Sequence, residues 1–333
     1  MNRFRFLPSY HFADSTDGII QNPAELTLRD YTITGSEGGV GDCAEKRSDL
    51  PSGYEQLSYI ESTGTQYIDT GLKVEDIYGF DIKYQSTGKV PNEAAVSLGS
   101  TLNAIMGVNA VQDAAAKSFD TKIWFNYTDT KQSISAMMFG GTSFLIPYAT
   151  LEEYYNTIHH ITFETDGTVL YNGNAKGLAA RRTDPENMNH KGITIYLFDV
   201  HNLWETYRFY SKTRMYYLKF CAQDGALLRD FVPCKRVSDG VLGMYDAISG
   251  TFFTNQGTGT FLSAPLTYTI PILNNGTKAA EIVRSAPLYA GESISYREDG
   301  LPAVSLNSGS NALTIGTAVQ PGSVTYRYDT YQH

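Results

Sequence analysis

An all-β fold is predicted by three features of this sequence. Tyr (24), Phe (16) and Gly (30) are abundant while charged residues make up only 18%, a balance that favours strands and turns over helices. Short stretches of alternating apolar and polar residues recur, with turn signals about every 8–12 residues. Residues 211–261, SKTRMYYLKFCAQDGALLRDFVPCKRVSDGVLGMYDAISGTFFTNQGTGTF, read as four consecutive strands turned at AQDG, KRVSDG and AISG. Such a run of antiparallel hairpins needs a facing sheet to bury its apolar side. A two-sheet sandwich is therefore predicted.

In chain order, residues 1–49 read as an N-terminal arm or linker. LTLRDYTIT offers one strand, with Leu28, Tyr31 and Ile33 apolar, and GSEGGVGDCAEKRSD is a connector rich in Gly and charge. Gly39-x-Gly41-x-x-Ala44 formally matches a dinucleotide fingerprint, but that motif must open a helix. The chain instead meets Pro51 and Gly53, so no such helix fits.

From Leu50 strand signals are dense. GYEQLSYIES and TQYIDTG are two strands joined at Thr63–Gly64. YGFDIKYQS alternates, with Tyr78, Phe80, Ile82 and Tyr84 on one face and Asp81, Lys83 and Gln85 on the other. AAVSLGS, NAIMGVN, KIWFNYT and SISAMMF continue the series; LEEYYN is one helical turn or a corner. HHITFET and GTVLYNG form a hairpin through Asp166–Gly167, followed by a polar loop, NAKGLAARRTDPENMNHKG. ITIYLFDV, apolar on both faces, reads as a central strand. After Pro265 the strands shorten: LTYTIPIL, AAEIVRS, ESISYRE, ALTIGT and SVTYRYD suggest a small C-terminal β module over 264–333, with Pro271 at an edge. A module of that size has a marginal core, so it would lean on the main domain or on a partner chain.

Composition excludes several function classes. Net charge is −9, and basic residues cluster no further than Arg181–Arg182. No nucleic-acid partner and no membrane partner is expected of a chain that phosphate and anionic lipid would repel. Nothing approaches the ~18 continuous apolar residues of a spanning helix, and MNRFRFLPSYHFADS has no signal-peptide apolar core. Of the three cysteines, Cys221 and Cys234 would lie about 25 Å apart along one hairpin, too far to bridge. Free thiols are expected.

Two stretches carry a pattern beyond periodicity: LPSGYEQLSYIESTGTQYIDTG at 50–71, and YYLKF with LLRDFVPCKRVSDGVLGMYDAISGTFFTNQGTGTF within 216–261. Together they resemble the concanavalin A-like, laminin-G-like jelly-roll modules of tail and other structural proteins of phages and prophages of gut Firmicutes. The resemblance implies a lectin-like jelly-roll sandwich of two antiparallel sheets, one of them concave, over 50–263. It supplies no set of ligand residues.

Paired catalytic carboxylates would sit at i, i+2 or i+4 on one strand, but Glu152–Glu153 are adjacent and Glu281 stands alone. Gly-x-Ser-x-Gly, Cys-x-x-Cys and His-x-x-x-His are absent, and His159–His160 face opposite sides of a strand. No enzyme activity is expected, and no cofactor; zinc is not supported, and calcium can be held in this sandwich class through Asp, Asn and backbone oxygens in loops. Asp199, His201 and Asn202 sit at a strand end, where they could supply oxygens or cap a turn. For carbohydrate, exposed rings flanked by amides and carboxylates are needed. The candidates are Trp204 in DVHNLWETYR and Trp124 in KIWFNY, each with packing as its alternative, together with Asn202 and Asp199.

The expectation is a non-enzymatic virion structural protein, tail-associated or decorating the particle. It would be assembled in the host cytoplasm and bind host-surface glycan and other virion proteins, as a homotrimer in keeping with such proteins. The alternatives are a bacterial surface or secreted carbohydrate-binding module, and an architectural particle protein without ligand.

Overall fold

The computed structural model describes residues 12–14, 19–22, 26–28, 31–36, 46–89, 101–109, 121–128, 131–138, 144–178, 191–203, 208–295, 300–307, 309–316 and 323–327. The expected strand AAVSLGS, the Gly39–Ala44 motif and Trp204 lie outside them. The chain forms two compact units: Arg47–Pro265, and a second made of Met1–Lys46 with Leu266–His333. The second unit opens with β1 (Phe12–Asp14), β2 (Ile19–Asn22), β3 (Leu26–Leu28) and β4 (Tyr31–Thr34).

The central unit begins with β5 (Tyr54–Thr63), β6 (Ile68–Lys73), β7 (Gly79–Gly88) and β8 (Thr101–Asn109). β9 (Thr121–Thr128), β10 (Lys131–Met137), β11 (Phe144–Pro147) and helix α1 (Leu151–Asn156) follow. Next come β12 (His159–Phe163), β13 (Thr168–Tyr171), β14 (Asn174–Leu178), β15 (Thr194–Leu197) and β16 (His201–Asn202). β17 (Lys212–Cys221), β18 (Leu227–Arg236), β19 (Leu242–Asp246), β20 (Thr251–Thr254) and β21 (Leu262–Pro265) close the unit.

These strands make two sheets. The larger runs β14-β13-β12-β7-β17-β5-β18-β19-β20, with β21 added to β5; the smaller runs β11-β10-β9-β8-β15-β6, with β16 parallel to β8. All other pairings of the central unit are antiparallel. One core joins them: Ile60, Ile82, Tyr84, Ile161, Leu218 and Phe220 from the larger sheet meet Ile105, Val108, Ile123, Ile134, Ile195 and Leu197 from the smaller. The unit is an all-β, antiparallel sandwich, and β15 lies inside its sheet as ITIYLFDV predicts.

Local chemistry explains the pieces. β7 alternates with Phe80, Ile82 and Tyr84 buried and Asp81, Lys83 and Gln85 half-exposed, so one face meets the core and the other meets water. α1 starts where Thr150 Oγ1 accepts from the Glu153 N–H, which makes LEEYYN a capped helical turn. The β19–β20 hairpin closes on Asp246, whose buried carboxylate accepts from the N–H groups of Asp230, Ile248 and Ser249. Gly250, at φ 70°, supplies the left-handed residue that ends this turn.

Two readings need correction. NAKGL, read as loop, is the exposed edge strand β14; its alternation is invisible because every residue of it faces water. In the flanking unit, Pro271 is not on an edge strand. β22 (Tyr268–Asn274) pairs on both sides, with β23 (Thr277–Arg284) and β26 (Gly309–Ile315). The β26 ladder covers only Ile272–Asn274, so Pro271 sits just past it and its missing N–H costs no ladder bond. Cys221 and Cys234 are free thiols, as expected.

The flanking unit also contains β24 (Ser293–Ser295), β25 (Val304–Leu306) and β27 (Ser323–Arg327). Its sheets run β1-β27-β4-β24, β2-β26-β22-β23 and β25-β3. Each of these sheets thus joins strands from the beginning of the chain to strands from its end, and in β1-β27-β4-β24 the two alternate. Tyr31 and Ile33 share a core with Ile270, Ile272, Val304, Leu313 and Ile315.

Candidate functional site

The solvent face of the larger sheet, across β12, β7, β17 and β5, carries a strip of aromatic and hydrogen-bonding side chains. Its origin is an irregularity in β17. Thr213 and Met215 point inward, and then Leu218 and Phe220 do, so the buried phase moves from odd to even positions. The register against β7 shifts between Met215 and Tyr217. This β-bulge turns Tyr216 and Tyr217 both toward solvent, the re-aiming that an extra strand residue produces.

The neighbouring strands surround the pair. Tyr59 of β5 meets Tyr216 edge-on at 5.7 Å. Arg214 stacks over Tyr59 at 4.8 Å and donates from Nε to Glu61 Oε2 at 2.8 Å; that bond raises the Arg214 pKa. Lys83 lies 5.4 Å from the Tyr216 ring centre. The Tyr216 hydroxyl donates to Gln85 Oε1 at 3.3 Å, while Gln85 Nε2 donates to the Tyr155 carbonyl. Beyond them, His160 Nε2 lies 2.6 Å from Asp81 Oδ1 and 3.0 Å from the Tyr217 hydroxyl. The carboxylate can only accept, so Nε2 carries a proton.

Three rings lie on this face, each with a cation over it (Arg214, Lys83 and Lys219), and carboxylate, amide, imidazole and guanidinium groups stand around them. This is the chemistry that recognises a sugar, whose ring has an apolar face and a rim of hydroxyls. Paired-carboxylate hydrolysis does not fit Glu61 and Asp81. The registers align Glu61 with Arg214 and Gln85, four residues from Asp81 and two strands away. That separation is about 16 Å, beyond the ~10 Å limit for carboxylates that share a glycosidic bond. Among the described residues no three His, Cys, Asp or Glu side chains gather as metal ligands.

Of the residues singled out from the sequence, Asp199, Trp124 and Asn202 lie elsewhere, with the smaller sheet, and Trp204 lies outside the described residues. Asp199 is fully buried. Its carboxylate accepts from the N–H groups of Val200 and Phe209, each at 2.8 Å, and from Arg208 at 3.1 Å. Burial pushes this carboxyl up to about 6 against those three bonds. Arg208 in turn stacks over Tyr67 at 4.3 Å, beside Tyr196 and Tyr210. Trp124 is half-buried and packs against Ala104, Val200 and Phe209, with Lys122 4.1 Å above its ring. Asn202 lies on β16, paired with Asn109. Asp199 and Trp124 are therefore brought together, since the carboxylate holds the backbone of the residues that cover the indole. The tyrosine strip was not singled out from the sequence. Its signal was available in KTRMYYLKF, where the apolar phase changes at adjacent tyrosines.

What the fold and strip define is an antiparallel β-sandwich bearing a ring-and-hydrogen-bond surface. No family model, no curated protein and no solved structure matches the chain.

Proposed function

We propose that this protein is a non-enzymatic structural and binding component of a phage or prophage particle, tail-associated or decorating, whose central sandwich is a jelly roll that binds host-surface carbohydrate on the tyrosine strip. The resemblance of residues 50–71 and 216–261 to concanavalin A-like modules supports the class. The observation that carries the binding reading is the bulge at Met215–Tyr217, which places two adjacent rings on the solvent face among Asp81, Gln85, His160 and Arg214. Its partners are then a glycan and other virion proteins, and its place is the virion. Trimeric assembly would add avidity to a shallow site.

A second reading, a particle protein with no ligand, has one observation in its favour. Arg214 already pairs with Glu61, and His160 with Asp81, so much of the strip is satisfied internally. An array of host cell-wall polysaccharides separates the two. The glycan reading expects binding that weakens by about tenfold in the Tyr216→Ala/Tyr217→Ala double variant, the effect of losing ring contacts worth about 1.4 kcal/mol. Absence of binding to any host polysaccharide favours the architectural reading.

A further inference from the structure

A cleft of about 510 Å³ opens at one edge of the sandwich, between β11 and the elements α1, β13 and β14. That volume lies in the ~300–1,000 Å³ range of small-molecule sites. Two of its lining residues, Tyr148 and Tyr171, close a triangle of hydrogen bonds with the buried His159. His159 Nε2 lies 3.1 Å from the Tyr154 carbonyl oxygen, which only accepts, so Nε2 holds the ring proton and Nδ1 is bare. Nδ1 is 3.0 Å from the Tyr148 hydroxyl and 3.1 Å from that of Tyr171, and the two hydroxyls bond to each other.

The proton count then has one result. One phenol donates to Nδ1, the other donates to its partner's oxygen, and either arrangement consumes both protons. Neither phenol has a proton left to donate to the cleft, so the pair can only accept there, and Tyr171 also has the Asn172 side chain as a hydrogen-bond partner. Burial holds His159 neutral, with its pKa lowered to about 4, and raises both tyrosines, so the arrangement persists through neutral pH. Glu153 adds a carboxylate, positioned by the Ala149 N–H. Phe144 and Pro147 supply an apolar wall, and Lys176 supplies the cation among the lining residues.

We propose that this cleft is a second binding site, independent of the tyrosine strip, which takes one pyranose ring through hydroxyls that donate to the Tyr148–Tyr171 pair and to Glu153. An ammonium ligand would be opposed by Lys176. An anionic ligand would meet Glu153 and the phenol lone pairs. A hydroxylated ring donates to the acceptors, accepts from Lys176 and lays its apolar face on Phe144 and Pro147.

The test is saturation-transfer NMR on the full chain with methyl α-glucoside, α-galactoside, α-mannoside and N-acetylglucosaminide at millimolar concentration. It is then repeated with deoxy and deoxyfluoro analogues of the glycoside that binds. Fluorine cannot donate, so the deoxyfluoro sugar is expected to bind as poorly as the deoxy sugar. Tyr171→Phe is expected to weaken binding about tenfold, the effect of one lost hydrogen bond. The Tyr216→Ala/Tyr217→Ala variant is expected to leave it unchanged, which separates this site from the strip. Parent-like affinity of the deoxyfluoro sugar overturns the proposal, as does failure of every glycoside to bind or loss of all binding in the strip variant. The fluorosugar comparison uses the unaltered chain and so stands even if Tyr171→Phe fails to fold.

Discussion

The outer faces of the two sheets of the central unit differ in what lies on them. On the smaller sheet, Val200 and Phe209 pack with Ala104 against Trp124 and cover it. Lys122 is buried there too, bonded to Asn109. On the larger sheet the side chains of β12, β7, β17 and β5 stay half-exposed, with three tyrosines among charges. An aromatic residue on a solvent-phase strand position therefore has two fates. Where an apolar segment covers it, the ring becomes packing; where a bulge doubles the rings and none of the described residues covers them, they remain half-exposed.

The cover on the smaller sheet depends most on Asp199. Replacing it with Ala strips the Val200 and Phe209 N–H groups and Arg208 of their shared acceptor. The expected loss is about 3–5 kcal/mol, the usual cost of breaking a buried charged network. Denaturant unfolding followed by tryptophan fluorescence reads it cleanly, because Trp124 and Trp204 both belong to the central unit. An unchanged midpoint would show that Asp199 does not hold the cover.

Acid titration sharpens the same contrast. His159, lowered from 6.5 to about 4 by burial, is protonated first in the unfolded chain. Its contribution to stability is complete above pH 6.5 and is lost as pH falls toward 4. Asp199, raised from 3.8 to about 6 mainly by burial, works in the opposite sense: its penalty is present above pH 6 and is relieved as pH falls toward 3.8. Each amounts to about 3 kcal/mol at about 1.4 kcal/mol per pKa unit. The intact chain should therefore show a shallow pH dependence from these two groups. Asp199→Asn, which cannot titrate, should lose about 3 kcal/mol more than the intact chain between those limits. Parallel pH profiles would refute the opposition.

The two aromatic fates also predict a dissociation of effects. Trp124→Ala should cost about 2 kcal/mol of stability, reduced from the value for a fully buried ring because the indole is only half-buried, and leave glycan binding on the strip intact. Tyr216→Ala should cost under about 1 kcal/mol, as surface changes do, and weaken that binding. Thermal unfolding paired with a polysaccharide titration measures both; the reverse pattern would exchange the roles of the two faces.

Much of this fold was legible where one strand face is buried and the other wet. β7 shows it, with Phe80, Ile82 and Tyr84 separated by Asp81 and Lys83. β14 was not legible, because a strand exposed on both sides leaves no alternation to read. The bulge at Tyr216–Tyr217 was written in the phase of Met215 against Leu218 and Phe220, but a search for single tryptophans passes over it. Asp199 was visible as an acid at a strand end. Its burial depends on Arg208 and Phe209, whose return to that point is a tertiary fact. The joining of the first strands to the last has no local signal at all, since Tyr31 pairs with Tyr326 and Ile33 with Val324.

That last pairing constrains the order in which the chain can mature. Among the described residues β4 pairs with β24 and β27, so this strand has no sheet partner until residues 293–327 have been synthesised. The sandwich, whose pairings all fall between Arg47 and Pro265, is free to complete itself in the interval. The protein is built like a parenthesis, its middle settled before its two sides can close.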